Sequence, residues 1–241
     1  MYTAEEIPLG AILLSNAMAG IAADKVQGFK PRFQRKLQYI KGIFCKLFTG
    51  LPTTHSIAAL GQGQFLHVDD GKDVDDKPSD KKSKGLCSGR PILEDHSDAK
   101  RAEEGRKGKK YMFGYEIVVI NKEKVAQKLD TSVEDVNVRL ERWKNHLLEA
   151  RKNKPSSSMI DIISTIFNTR RPKNYDITTV FNSNNCYSCS GLICTALAAE
   201  NIDVMKSKRV NKVTPSDFFR SNIYDLAYSN NRSLFESVKE Q

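Results

Sequence analysis

The stretch Thr53-Thr54-His55-Ser56-Ile57-Ala58-Ala59-Leu60-Gly61-Gln62-Gly63-Gln64-Phe65-Leu66-His67 decides how the rest of the chain is read. Apolar arms on both sides of a Gly-Gln-Gly punctuation, with no proline inside, predict two antiparallel strands joined by a tight turn. Side chains along a strand alternate between faces, so the length of the loop decides which residues share a face. If Gly61-Gln62-Gly63 is a three-residue loop, position 67 lies across from position 57, which has the parity of position 55. His55 and His67 then stand on one face as a diagonal pair, with Cβ atoms roughly 7–8 Å apart and their imidazoles within mutual reach. A two-residue loop would send them to opposite faces.

Outward from the hairpin, Pro8-Leu9-Gly10-Ala11-Ile12-Leu13-Leu14-Ser15 reads as a short buried strand opened by Pro and Gly. Leu37, Ile40, Phe44 and Leu47 fall on one face of a helix predicted over residues 34–48. On the other side, residues 69–110 form a stretch more than half charged, with few large apolar residues. Such a composition buries too little surface to offset its ordering entropy and predicts a mobile, solvated insertion. A strand resumes over Tyr111 to Ile120, and Thr131-Ser132-Val133-Glu134 resembles a capping box that opens a helix running to about Arg151. Ser156-Ser157-Ser158 marks a turn before a further helix, Met159 to Phe167, and Val213-Thr214-Pro215-Ser216-Asp217-Phe218 reads as a loop. The fold class expected is α+β, with helices packed against an antiparallel sheet.

Length and composition bound the partners. A chain of 241 residues with 39% hydrophobic content suits one catalytic domain spanning residues 1–241, with the charged insertion inside it. The net charge of +9 suits an anionic partner such as a membrane surface. The basic runs Lys30 to Lys36, Arg151 to Lys154 and Arg170 to Lys173 lie apart and lack aromatic interleaving, so no nucleic-acid partner is expected. Five cysteines are an odd number for a disulfide framework and predict a reducing compartment. Met1 to Glu6 is acidic where a signal peptide is basic, and the apolar run Ile12 to Ala23 is short and interrupted. These features predict cytoplasmic synthesis without a signal peptide, and the composition is compatible with export by a specialised secretion system.

The chemistry-bearing residue is Cys189, in Tyr187-Ser188-Cys189-Ser190-Gly191 ahead of the apolar segment Leu192 to Ala199. A thiol in the first turn of a helix meets free backbone N–H groups and the positive end of the dipole, which favour thiolate. Acyl transfer through a thiol also requires a base and a group that orients the base, and His55 and His67 supply both types. Tyr187 and Ser190 are candidates for oxyanion or substrate contact. The competing readings are a small buried hydrophobe at Cys189, a structural histidine at 55, and a redox or zinc role for Cys186-Tyr187-Ser188-Cys189, for which a second ligand pair is hard to find. His96 and His146 take a solvated or packing role by default. The thiol chemistry calls for no metal or organic cofactor.

In their order these pieces resemble the permuted papain-like cysteine hydrolases, a bacterial amidase and peptidase group related to the cell-wall NlpC-type enzymes. The resemblance rests on Gly10-Ala11-Ile12-Leu13 first, then His55-Ser56-Ile57 with Gly61-Gln62-Gly63, then Tyr187-Ser188-Cys189-Ser190, with Tyr175-Asp176 and Phe181 ahead of the cysteine and Val213 to Asp217 after it. Ala11 stands where the group carries Asp, and Gly191 where a Glu often follows. A histidine as third member, twelve residues after the first, is similar to the lecithin-retinol acyltransferase branch. The resemblance implies a permuted papain-like fold, a Cys189-His55-His67 site with the cysteine at a helix N-terminus, and an acyl-thioester intermediate. The implied substrate is a peptide or isopeptide amide, or alternatively a lipid acyl group handled by an acyltransferase or phospholipase-type thiol enzyme. A catalytically inactive binding module is the reading from a different class.

Overall fold

The structure, a computed structural model, describes residues 2–16, 43, 51, 53–69, 90–112, 114–153, 189–205 and 213–229. Within them the chain is α+β. Six antiparallel strands, β1 (Ile12–Asn16), β2 (Thr53–Gly61), β3 (Gln64–Asp69), β4 (Arg90–Asp95), β5 (Tyr115–Ile120) and β6 (Tyr224–Tyr228), form one sheet in the order β4-β3-β2-β1-β5-β6. The helices are α1 (Asp98–Glu103), α2 (Lys122–Leu129), α3 (Val133–Asn153), α4 (Cys189–Ala199) and α5 (Pro215–Arg220). None among the described residues is long and apolar enough to cross a membrane.

Strand alternation sorts the core onto two faces. Ile12, Leu14, Ala58, Leu60, Leu66 and Val118 pack with Trp143, Leu192, Ile193, Leu197, Phe218 and Phe219 from α3, α4 and α5. Ala11, Leu13, Ile57, Ala59, Phe65 and Ile117 lie on the reverse face, where Ala4, Ile7 and Met112 cover them. A strand covered on both faces reads as an unbroken apolar run, which is why Ile12-Leu13-Leu14 shows no alternation. The helix α4 is buried along the whole of Ser190 to Leu197, and a helix apolar all round belongs in a core. Each fully buried Leu or Ile there contributes about 1.5–3 kcal/mol. Trp143 fastens α3 to it by donating its indole N–H to the Ile193 carbonyl at 3.3 Å.

The hairpin has the expected offset by a different route. Gly61 pairs with Gln64 around a two-residue tip, Gln62 and Gly63, both with positive φ. The register then shifts between Ala59 and Gly61, so Ala58 pairs with Leu66. One residue absorbed by the bulge makes a two-residue turn equivalent, for parity, to a three-residue loop.

Three expectations are revised. Residues 90–110, read as part of a mobile insertion, contain β4 and α1. Pro91, Ile92 and Leu93 are buried, and β4 pairs with β3 along its whole length, so a short apolar core inside a charged stretch is enough to add a strand. Residues 215–220, read as loop, form α5, because Pro215 sits in the first turn and the Asp217 carboxylate accepts from both the N–H and the hydroxyl of Thr214 at 2.8 Å. The opening of α3 is one residue later than the expected capping box, with the Ser132 hydroxyl accepting from the Asp135 N–H at 3.1 Å. The helix expected over 34–48, apart from residue 43, which is helical, together with the helix expected over 159–167, the turn at 156–158 and most of 69–89, lies outside the described residues.

Candidate active site

The bulged hairpin sets the first contact. Because β2 and β3 keep the 58-to-66 register, His55 is one diagonal step from His67, and their rings meet edge to face with His55 Nε2 2.9 Å from His67 Nδ1. His67 is 5% exposed, whereas His55 is only half-buried. A second break of register, between Ser15 and Asn16 on β1, resets the start of β2. As a result Thr53 and Ser56, three residues apart, both reach helices of the same core: Thr53 Oγ1 lies 2.7 Å from Ser216 Oγ, and Ser56 Oγ 2.9 Å from Ser190 Oγ. His55 sits inside this reset.

These fastenings bring the first described residue of α4, Cys189, to the start of β2. Burial alone would push its thiol up. The charge and hydrogen bond of the His55 imidazole, followed by the hydroxyl and backbone of Ser56, outweigh burial and bring it down to about 6. The side chain is partly exposed. An ionised thiol beside an imidazole that in turn holds a second imidazole has the parts of a nucleophile, a base and an orienting group.

A further acid, unremarked in the sequence, joins the line. Glu94 on β4 stands across from Phe65 and reaches one diagonal step to His67, with Oε1 3.5 Å from His67 Nε2 and Oε2 3.0 Å from His96 Nε2. The His67 imidazole, and then the hydrogen-bonded His96 imidazole, hold the Glu94 carboxyl far below the usual carboxylate range, against the opposing effect of burial. His96, read as solvated, is one of its partners. The signal available was the alternation Ile92-x-Glu94-x-His96, which places Ile92 and Glu94 on one face of the strand with His96 just past its end, once the segment is seen as a strand.

The other candidates fall differently. Ser190 is 1% exposed and bonded to Ser56, so its hydroxyl points into the sheet and fastens α4 there instead of meeting a substrate. Tyr187, Cys186 and the Tyr175-Asp176 pair lie outside the described residues. His146, on α3, is bound with Arg142 to the buried Glu200 carboxylate, at 2.9 and 2.8 Å, and joins α3 to the end of α4. Among the described residues no group of three His, Cys, Asp or Glu side chains could hold a metal ion. Comparison with protein-family models, curated proteins and solved structures finds no match to this chain.

Proposed function

We propose that the chain is a thiol hydrolase of amidase or peptidase type, working through an acyl-thioester on Cys189, in a permuted papain-like arrangement with the histidine strands ahead of the cysteine helix. The observation that carries the proposal is the imidazole pair, 2.9 Å apart, of which His55 also engages the sulfur. With its Nε2 occupied by His67, His55 takes the thiol proton on Nδ1. The thiolate attacks the substrate carbonyl, and the oxyanion that forms is held by the backbone N–H of Cys189. The His55 imidazolium then protonates the departing amine or alkoxide, leaving the acyl group on sulfur. Water, deprotonated by the now neutral His55, attacks the thioester and restores the thiolate and imidazolium.

The favoured substrate is a peptide or isopeptide amide. A lipid acyl ester at an anionic membrane is the second reading, supported by a histidine as third member and by the net charge of +9. Trapping separates them: the protein is mixed with acyl peptides or with phospholipid vesicles, quenched in acid and analysed by intact and peptide mass. A peptide or fatty-acyl mass on Cys189 names the class. Absence of any adduct, together with Cys189 alkylating no faster than Cys194, overturns the enzyme reading and leaves the binding module.

A further inference from the structure

Resting on the thiol-hydrolase reading, we propose that Glu94, braced by His96, is the positioning residue that sets the direction of both imidazoles, so that His55 presents its Nδ1 lone pair to the Cys189 sulfur. Each neutral imidazole has one N–H donor and one acceptor nitrogen, whereas an ionised carboxylate only accepts. Polarity therefore propagates from the carboxylate. Facing His67 Nε2 at 3.5 Å, the carboxylate favours the proton on that nitrogen, which leaves His67 Nδ1 as a lone pair. That lone pair accepts His55 Nε2–H across the 2.9 Å contact. The remaining nitrogen of His55, Nδ1, is then unprotonated and takes the thiol proton. A protonated or amide group at position 94 would remove the asymmetry, and the reverse polarity would aim an N–H at the thiol.

The structure holds Glu94 in this role. Its two oxygens are divided between His67 Nε2 at 3.5 Å and His96 Nε2 at 3.0 Å. His96 is itself tied to the hairpin tip, its backbone N–H donating to the Gly63 carbonyl at 2.8 Å and its ring lying 6.0 Å from that of Phe65. The hydrogen bond with His96 and the longer approach of His67 both favour the ionised carboxylate. Among the described residues, the titratable groups that meet around the pair include Cys189 from α4, His55 from β2, His67 from β3 and Glu94 and His96 from the β4 end. When the thiol ionises, one proton moves from sulfur to His55 Nδ1 and none moves further. The carboxylate stabilises the new imidazolium through the His67 ring between them.

The test uses the full chain in two readouts. Ring-nitrogen shifts of 15N-histidine protein report the tautomers, and the rate of Cys189 alkylation by iodoacetamide against pH reports its ionisation. In the wild type, His67 is expected to carry its proton on Nε2. In Glu94→Gln the tautomer preference is expected to be lost and the alkylation inflection to rise by about one pH unit, the ordinary size for losing a nearby charge, with Glu94→Asp restoring part of both. His67 protonated on Nδ1 in the wild type, which needs no variant to fold, overturns the proposal. So does an unchanged profile in Glu94→Gln. If His55→Ala shifts the profile while Glu94→Gln does not, only the role of Glu94 fails. If neither shifts it and wild-type Cys189 titrates as an ordinary thiol, the thiol-hydrolase reading itself fails.

Discussion

Two cysteines on one helix, five residues apart, have opposite chemistry. Cys189 begins α4 as described and is brought down to about 6 by His55 and Ser56 despite burial. Cys194 is 2% exposed in the middle of the helix, where burial, with the Asp217 carboxylate and the Cys189 sulfur adding to it, pushes the thiol well above the ordinary range. Cys189 keeps some exposure and Cys194 almost none, yet burial acts on both thiols in the same direction. The difference lies in what the fold supplies afterwards: an imidazole and a hydroxyl for one, a carboxylate for the other. A buried thiol is packing until a cationic or donor partner is built beside it.

The largest effect expected from this contrast is in alkylation. At pH 7 a thiol that ionises at about 6 is about nine-tenths thiolate, whereas one well above 9 is less than about one per cent thiolate. Iodoacetamide at pH 7 should therefore modify Cys189 at least about 100-fold faster than Cys194, read by peptide mass mapping. Equal rates would erase the distinction between site and core. Next in size is His55→Ala. Its imidazole is the main influence lowering the Cys189 thiol, so the alkylation rate, which in the wild type rises as pH increases through about 6, should rise only at higher pH in the variant. At pH 7 the loss should be on the order of tenfold or more. A variant whose inflection stays near 6 would show that the helix, not the imidazole, ionises the sulfur.

A third expectation concerns the hairpin tip. A Cβ on Gly63 would lie 2.7 Å from the Ser97 nitrogen and 2.8 Å from its Cα, at a φ of +74 that side chains rarely adopt. The neighbour is backbone and cannot swing away. Gly63→Ala should destabilise the fold by about 1–3 kcal/mol in denaturant titration. Because His96 is hydrogen-bonded to the Gly63 carbonyl, the variant should also weaken the brace on Glu94 and raise the Cys189 inflection. Gly61→Ala, where the nearest contact is Leu9 at 3.7 Å, should bear only the positive-φ strain and leave the inflection in place.

How far the sequence carried this arrangement differs by residue. The His55 to His67 contact was legible because strand parity and loop length together limit the possibilities to two, although the actual turn reaches the expected parity through a bulge that no residue type announces. That a buried helix follows Cys189 was legible from the apolar run Leu192 to Ala199. Glu94 and His96 were not, because window composition over 69–110 averages Arg90-Pro91-Ile92-Leu93 together with its charged flanks, whereas pairing with β3 supplies ordering that the segment alone lacks. Asn121 was also passed over. Its side chain accepts from the Lys124 N–H at 2.9 Å and starts α2 between the two elements that the spacing did predict. Val213 to Phe218 had its cap pattern in plain sight, but with Pro inside it the segment reads equally as a turn.

The smallest expected effect separates ionisation from placement at Cys189. Ser56 and Ser190 share a hydrogen bond at 2.9 Å, both are buried, and only Ser56 also acts on the sulfur. Either alanine variant leaves the other hydroxyl without this partner and should lower stability by about 1–2 kcal/mol. Ser56→Ala additionally removes a hydrogen bond that favours the thiolate, so its alkylation inflection should move up, by less than in His55→Ala because the imidazole has the larger influence. Ser190→Ala should leave the inflection where it was. If the two variants shift it equally, the hydroxyls act by holding α4 against β2, and the low Cys189 value rests on the imidazole and the helix alone.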